Sequence, residues 1–362
     1  MKTKKAIAIY APPALLAVAL LGYATLSAAH GQLKPVTEKG AATQKASPKQ
    51  PIVLGTNQLP GEFGQFGQTY TIGQREPINF TLKSAEYSIT PFSVANNTWV
   101  PQADQKLLIL HFAVHNPNPR EFAYDWWSVK FTAVDSKDVN HEFIQIVARE
   151  GTNEKLGLSL KPAQKVDAVA AILVPSEGIV PKLIVEREKG AAVVRYDLHG
   201  KAKPLSAGIA DAGDTTGATP LKEIPAQPGS FYCLGVFDAR LDEAAFTTEP
   251  LGKRALKPGY RNLTAVLTIK NGTASPQTFT WSDFMPAVRD SDGEKVAYMQ
   301  AMLKATRDEV AGGTLAPGEE ARIRFFFPLP DKLTGKTLVI AEGKGVHITK
   351  ARLFAFDVSN AK

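Results

Sequence analysis

Cysteine is almost absent from this sequence of 362 residues, which contains only Cys233. A single thiol excludes an intramolecular disulfide and a zinc site made from paired cysteines. Cys233 lies in the apolar run 231–234, and no nearby side chain is a base that would activate it. We therefore expect a buried, unreactive thiol.

A basic excess is missing from the globular part of the chain, despite a net charge of +7. Residues 1–29 contribute +3 and residues 30–50 another +3, which leaves about +1 on residues 51–362. A nucleic-acid-binding domain normally keeps a basic face. We therefore expect no nucleic-acid partner.

Recognisable catalytic motifs are also missing. No nucleophile-elbow sequence is present, and the six histidines are scattered along the chain. His111 and His115 stand four residues apart on a predicted strand, roughly 13 Å from one another, which is too far to bind one metal ion. We predict that both face solvent or lie between sheets. We expect no catalytic residue, no metal ligand and no cofactor.

The N-terminal segment has the pattern of an export signal. Three lysines precede an apolar stretch, and small residues end it at residue 29. Cleavage before His30 is one outcome. Retention as an anchor through residues 6–29 is the other, because an apolar run of this length spans a bilayer. Both place the chain outside the cytoplasm, secreted or periplasmic. Residues 30–68 are predicted to form a flexible tether.

The dominant pattern is an internal duplication. Residues 106–185 align without a gap on residues 261–340, at an offset of 155 positions. Asn116 matches Asn271, and Trp126 matches Trp281. Most other aligned positions keep their polar or apolar character. One domain is therefore present twice.

Short alternating runs within each copy predict β-strands separated by turns rich in proline and glycine. About seven antiparallel strands a copy, without alternating helices, favour two tandem immunoglobulin-like β-sandwiches and hence an all-β fold. The predicted boundaries are residues 69–198 for the first sandwich, 199–229 for a linker and 230–362 for the second. The segments 143–157 and 298–312 are expected to be irregular crossovers with one helical turn.

Residues of one parity on the aligned strands are expected to form the cores. They include Phe112, Leu267, Phe325 and Phe327. A large ring contributes much of the area that a small domain buries, so one tryptophan is expected to anchor each core, on a strand. These are Trp126 and Trp281.

Two turns also differ between the copies. Residues 290–293 (Asp-Ser-Asp-Gly) form a predicted hairpin turn that resembles a fragment of a calcium loop, whereas the first copy has Asp138 in place of the glycine. The hairpin turn is preferred, and a weak calcium site stays open as the alternative. Pro317–Gly318 suits a type II turn, while Ala163 in the first copy favours type I.

Several of these motifs resemble a known family. The segment 70–73 (Tyr-Thr-Ile-Gly), the two strands that end in Asn116 and Asn271, and the turn 315–319 (Leu-Ala-Pro-Gly-Glu) are similar to immunoglobulin-like domains of unknown function in secreted and lipid-anchored bacterial proteins. The resemblance implies the fold and a cell-surface or periplasmic setting. That family has no assigned active site, so it supplies no functional residue.

Two tryptophans without aromatic counterparts are the best candidates for binding. Trp99 and Trp127 align with Arg254 and Ser282. Exposed tryptophan is enriched at interfaces. We expect an exported, non-enzymatic protein that binds an envelope protein or a glycan, or assembles there, with membrane contact only through an uncleaved N-terminal segment. The alternatives are a periplasmic metal-binding protein or hydrolase on the same scaffold, and a structural spacer.

Overall fold

The computed structural model describes residues 62–298, 301–333, 335–342 and 350–361. The predicted export signal and most of the predicted tether lie outside these residues. Within them, no helix is long and apolar enough to cross a membrane. The expected all-β fold of antiparallel sheets is confirmed.

The first sandwich contains twelve strands and a 3₁₀ turn at Trp126–Ser128. The strands are β1 (Thr69–Ile72), β2 (Ile78–Ser88), β3 (Phe92–Val94), β4 (Asn97–Trp99), β5 (Gln105–His115), β6 (Phe122–Tyr124), β7 (Lys130–Val134), β8 (Asn140–Arg149), β9 (Leu158–Leu160), β10 (Lys165–Pro175), β11 (Lys182–Glu186) and β12 (Val194–Asp197). Eight of them form one continuous sheet in the order β1-β2-β5-β10-β8-β7-β11-β12, because β8 pairs with strands of both layers.

The second sandwich has a 3₁₀ turn at Trp281–Asp283 and its own set of strands. They are β13 (Glu223–Ala226), β14 (Tyr232–Leu234), β15 (Phe237–Thr247), β16 (Tyr260–Asn271), β17 (Gln277–Phe279), β18 (Ala287–Arg289), β19 (Lys295–Tyr298), β20 (Leu303–Lys304), β21 (Arg307–Val310), β22 (Gly313–Leu315), β23 (Glu320–Pro330), β24 (Thr337–Ala341) and β25 (Leu353–Asp357). The layers are β13-β25-β24-β18-β19 and β14-β15-β16-β23-β20-β21.

The two sandwiches share one hydrogen-bonding framework. In the first, the Asn116 side chain donates to the carbonyl oxygens of Arg120 and Leu160, at 2.9 and 2.8 Å. In the second, Asn271 donates to the carbonyl oxygens of Ser275 and Leu315, at 2.8 and 3.0 Å. An asparagine at this position satisfies backbone groups that the sheet leaves unpaired. This explains why the asparagine is the same in both copies.

The shared framework begins earlier than the predicted domain boundaries. Gln65 donates its backbone N–H to the Tyr70 hydroxyl at 2.9 Å, and Gln227 makes the same bond to Tyr232 at 2.8 Å. Strand β13 lies inside the predicted linker and pairs in parallel with β25. Such short edge strands carry too little alternating hydrophobicity to be recognised in the sequence.

The cores contain the expected strand residues but not the expected tryptophans. Phe112, Leu267, Phe325 and Phe327 are fully buried, whereas Trp126 and Trp281 are only partly buried. Both tryptophans lie in the 3₁₀ turns rather than on strands. The buried rings next to these turns belong instead to Tyr124 and Phe279, at the ends of β6 and β17.

Two local expectations were wrong. Residues 303–310 form a β-hairpin instead of a helical turn, because β20 pairs with the edge of β23 and this pairing overrides helix propensity. In the first copy, Ala163 has φ +62°, so it adopts the left-handed conformation of its counterpart Gly318, at φ +75°. The type I turn is therefore absent, and an alanine takes a conformation that favours glycine.

Candidate functional site

The two sandwiches meet at a buried arginine. Arg352 donates from Nη2 to the carbonyl oxygens of Gln102 and Gln105 of the first sandwich, at 3.2 and 3.1 Å. Its Nη1 lies 3.6 Å from the Glu342 carboxylate, and both side chains are almost completely buried. Burial raises the pKa of Glu342 to about 7, although the guanidinium opposes this shift.

A cavity of about 820 Å³ lies where three parts of the chain converge. One wall is the end of the first sandwich at Ile89 and Thr90, and a second is the segment 206–212. The remaining walls come from the second sandwich. Most of the lining side chains are apolar or aromatic, among them Ile209, Leu221, Pro225, Phe231, Tyr232 and Phe354. This volume and lining are those of small-molecule sites, which are common where domains meet.

A thiol and a carboxylate stand side by side in the cavity wall. Cys233 on β14 and Asp238 on β15 are direct cross-strand partners in a tight hairpin. Burial raises the pKa of both groups, and Lys270 on the next strand opposes the shift of Asp238. The raised thiol pKa keeps Cys233 protonated near neutral pH, so it is a poor nucleophile.

The first sandwich has three equivalent positions in the same register. In the second sandwich, Asp238 is the cross-strand partner of both Cys233 and Lys270. In the first sandwich, Asn79 is in the same way the partner of both Thr71 and His115. There, the Thr71 hydroxyl donates to Asn79 Oδ1 at 2.7 Å, and Asn79 Nδ2 lies 3.0 Å from His115 Nδ1.

These three hydrogen-bonded side chains, of Thr71, Asn79 and His115, carry no net charge. Asn79 is 1% exposed, and burial lowers the pKa of His115, which keeps its imidazole uncharged at pH 7. The fold thus accepts a fully neutral set of side chains at these three positions. The thiol, carboxylate and ammonium groups of the second sandwich are a feature of that copy alone.

The two tryptophans proposed for binding lie in different surroundings. Trp127 is 65% exposed, in the 3₁₀ turn, with its ring edge-on to Trp126 at a centroid distance of 5.5 Å. Trp99 is partly buried in the β3–β4 hairpin and packs with Phe92 over the outer face of the sheet. Of the two rings, that of Trp127 is the more exposed.

His111, His115 and the turn at Asp290 interact with neighbouring protein groups. His111 Nδ1 lies 3.0 Å from the Glu150 carboxylate, while His115 is part of the buried chain described above. Asp290 Oδ1 accepts the backbone N–H groups of Asp292 and Glu294 at 2.9 and 3.0 Å, as expected of a hairpin turn. Among the described residues, no three His, Cys, Asp or Glu side chains are grouped to hold a metal ion.

The difference between Asp238 and Asn79 is not visible in the alignment of the two copies, for a specific reason. The alignment of residues 106–185 with 261–340 does not extend to β1 and β2, where the offset between copies changes with the length of each turn. The aligned ranges therefore contain neither Asn79 nor Asp238. The signal that would have revealed the difference is the pair Tyr70 and Tyr232, which marks the same strand in both copies.

Comparisons with known proteins supply no function for this chain. No family model and no curated protein matches the chain. Among solved structures, the chain is similar to an uncharacterized β-sandwich protein from Clostridium difficile 630, with 13% identity, 38% of this chain and 95% of that chain covered, and a TM-score of 0.28.

Two Bacillus subtilis proteins are similar to a comparable degree. The yjhA protein has 12% identity, with 36% of this chain and 97% of that chain covered, and a TM-score of 0.25. The candidate lipoprotein ycdA has 10% identity, with 37% and 39% covered, and a TM-score of 0.26. The fold assignment therefore rests on the strands of this chain itself.

Proposed function

We propose that this protein is an exported, non-enzymatic binding protein of the cell envelope, and that the cavity between the segment 206–212 and the second sandwich takes its ligand. The export part follows from the basic, apolar and small-residue pattern of residues 1–29. The single observation that supports ligand binding is the 820 Å³ cavity with apolar walls and a few polar groups.

Ligand binding in the cavity is tested by a substitution that fills the cavity with a large side chain. Ala207 lines the cavity in its exposed segment, so Ala207→Trp inserts a bulky ring without disturbing either core. Ala207→Ser is the matched control. A fluorescent apolar probe should bind the wild-type protein and the serine variant alike, and at least about tenfold more weakly the tryptophan variant. Equal binding to all three proteins would show that the probe binds elsewhere and would remove support for this site.

Export is tested separately by fractionating cells that produce the full chain with a C-terminal tag. We expect the protein outside the cytoplasm. Mass spectrometry then distinguishes a mature chain that starts at His30 from a chain that keeps residues 1–29. Recovery of the full chain in the cytoplasmic fraction would contradict the proposal.

A second binding surface is favoured by Trp127. The same 3₁₀ turn in the second sandwich has Ser282 instead, so the turn itself needs no tryptophan. We propose that Trp127 contacts an envelope protein or a glycan. Trp127→Ser should then abolish recovery of that partner in cross-linking from whole cells, with an unchanged melting temperature. Recovery of the same partners with the variant would contradict it.

A further inference from the structure

Among the described residues that line the cavity, the charged groups are all of one sign. Asp238 from β15 and Asp211 from the segment 206–212 are carboxylates, and no described lysine, arginine or histidine lines this cavity. Asp211 also closes its own loop, since its Oδ1 accepts the backbone N–H of Gly213 at 2.9 Å. Among the described residues, no backbone N–H group donates to the Asp238 carboxylate.

The fold does not require a carboxylate at Asp238. Its counterpart Asn79 occupies the same register and satisfies the framework with an amide. Beside Asp238, the Lys270 ammonium supplies one favourable charge from β16, and the Cys233 thiol supplies a weak donor. Asp238 is at the same time a lining residue of the cavity, which brings its carboxylate within reach of a ligand there.

The aromatic walls suit a cation as well. Phe231 is 39% exposed and already accepts the Arg240 guanidinium over its ring, with 4.7 Å between the guanidinium carbon and the ring centroid. Tyr232 and Phe354 lie together nearby, with their ring centroids 5.9 Å apart. Aromatic faces attract ammonium groups and also pack against apolar bodies.

We infer that the cavity binds a small organic amine, with its ammonium group at Asp238 and its apolar body against Phe231 and Tyr232. This inference rests on the proposed function, because it names the chemical class of the ligand for the same cavity. Asp211 adds a second negative charge from the segment 206–212. A carboxylate or phosphate ligand would meet two like charges there and would be rejected.

The test uses three probes that share a naphthalene body and differ in their head group: 1-naphthylmethylammonium, 1-naphthylmethanol and 1-naphthylacetate. Binding to the full-length protein is measured by fluorescence titration at low salt. The ammonium probe should bind at least about tenfold more tightly than the alcohol, and the carboxylate probe more weakly than the alcohol.

Asp238→Asn introduces the side chain that the first sandwich has at this position. It should weaken binding of the ammonium probe about tenfold, leave the alcohol unchanged and keep the melting temperature. Asp292→Asn, at an exposed turn position away from the cavity, is the charge-matched control and should change nothing.

The outcomes separate the two proposals. If the alcohol binds and Ala207→Trp prevents it, but the ammonium probe has no advantage or is insensitive to Asp238→Asn, the amine inference is wrong and the cavity remains a binding site. If none of the probes binds the wild-type protein at millimolar concentration, both the amine inference and the proposed cavity function are overturned.

Discussion

In the first sandwich Asn79 is buried, whereas its counterpart Asp238 in the second sandwich lines a cavity. Both positions have the same cross-strand partners in the sheet, so the difference does not come from the fold. Side chains that are the same in both copies, such as Asn116 and Asn271, hold backbone groups. Side chains that differ between the copies are not needed for the fold and are therefore candidates for ligand binding. The duplication lets structural and candidate binding residues be distinguished within one chain.

A second difference between the copies lies at the start of strands β5 and β16. Lys106 and Arg261 begin equivalent strands and lie over equivalent rings, with Lys106 Nζ 4.6 Å from the Tyr87 centroid and the Arg261 guanidinium 3.7 Å from that of Phe246. Lys106 also donates to the carbonyl oxygens of Ser176, Gly178 and Ala218, and burial lowers its pKa to about 8. Its bond to Ala218 fixes the connecting segment on the first sandwich.

The largest effect is expected from breaking the shared framework. Asn116→Ala removes two donated hydrogen bonds and leaves the buried Leu160 carbonyl without this partner, which should cost about 3 kcal/mol. Asn271→Ala should cost a similar amount, because it makes the same bonds. Urea denaturation of both variants measures this. A large loss for one and none for the other would contradict a common framework.

The second effect concerns the buried Glu342, which directly follows β24. Burial raises its pKa in the folded state from 4.5 to about 7, so the folded state holds a proton that the unfolded state has released. Its contribution to stability is therefore full below about pH 4.5 and is lost as the pH rises to about 7, with a change on the order of 3 kcal/mol.

Glu342→Gln should remove this pH dependence, because the amide does not titrate. Unfolding free energies of wild type and variant at several pH values between 4.5 and 7.5 measure the difference. A difference between the two proteins that stays constant over this range would show that the carboxyl titrates as an ordinary glutamate.

A smaller effect is expected where the copies exchange alanine and glycine. Ala163→Gly should stabilise the protein by about 1 kcal/mol, because glycine adopts φ +62° without steric cost. Gly318→Ala should destabilise it by about the same amount. Chemical denaturation measures both variants, and a stability loss in Ala163→Gly would mean that the alanine side chain has a packing role.

The smallest effect on stability is expected at the two 3₁₀ turns. Trp127→Ser and Ser282→Trp exchange the residues of equivalent exposed positions, so each should change the unfolding free energy by less than about 0.5 kcal/mol. Differential scanning calorimetry tests this. A marked loss for Trp127→Ser would assign the tryptophan to folding instead of binding.

The sequence predicted the strands better than the site. Long alternating strands such as β10 and β23 have a period of two that is legible in the residues themselves, and the offset of 155 positions identified their partners. The tryptophan rings were misplaced because a 3₁₀ turn interrupts the strand that was expected to bear them. The cavity depends on how segment 206–212 folds back on the second sandwich, and no local pattern in that segment encodes this contact.

The proposed ligand site belongs to only one of the two copies, the second sandwich. Hydrogen–deuterium exchange with saturating 1-naphthylmethylammonium tests it most directly. We expect slower exchange in residues 206–212 and 231–238, and no change in residues 69–79, their neutral counterpart in the first sandwich. Equal protection of both hairpins, or protection confined to the first sandwich, would contradict the account.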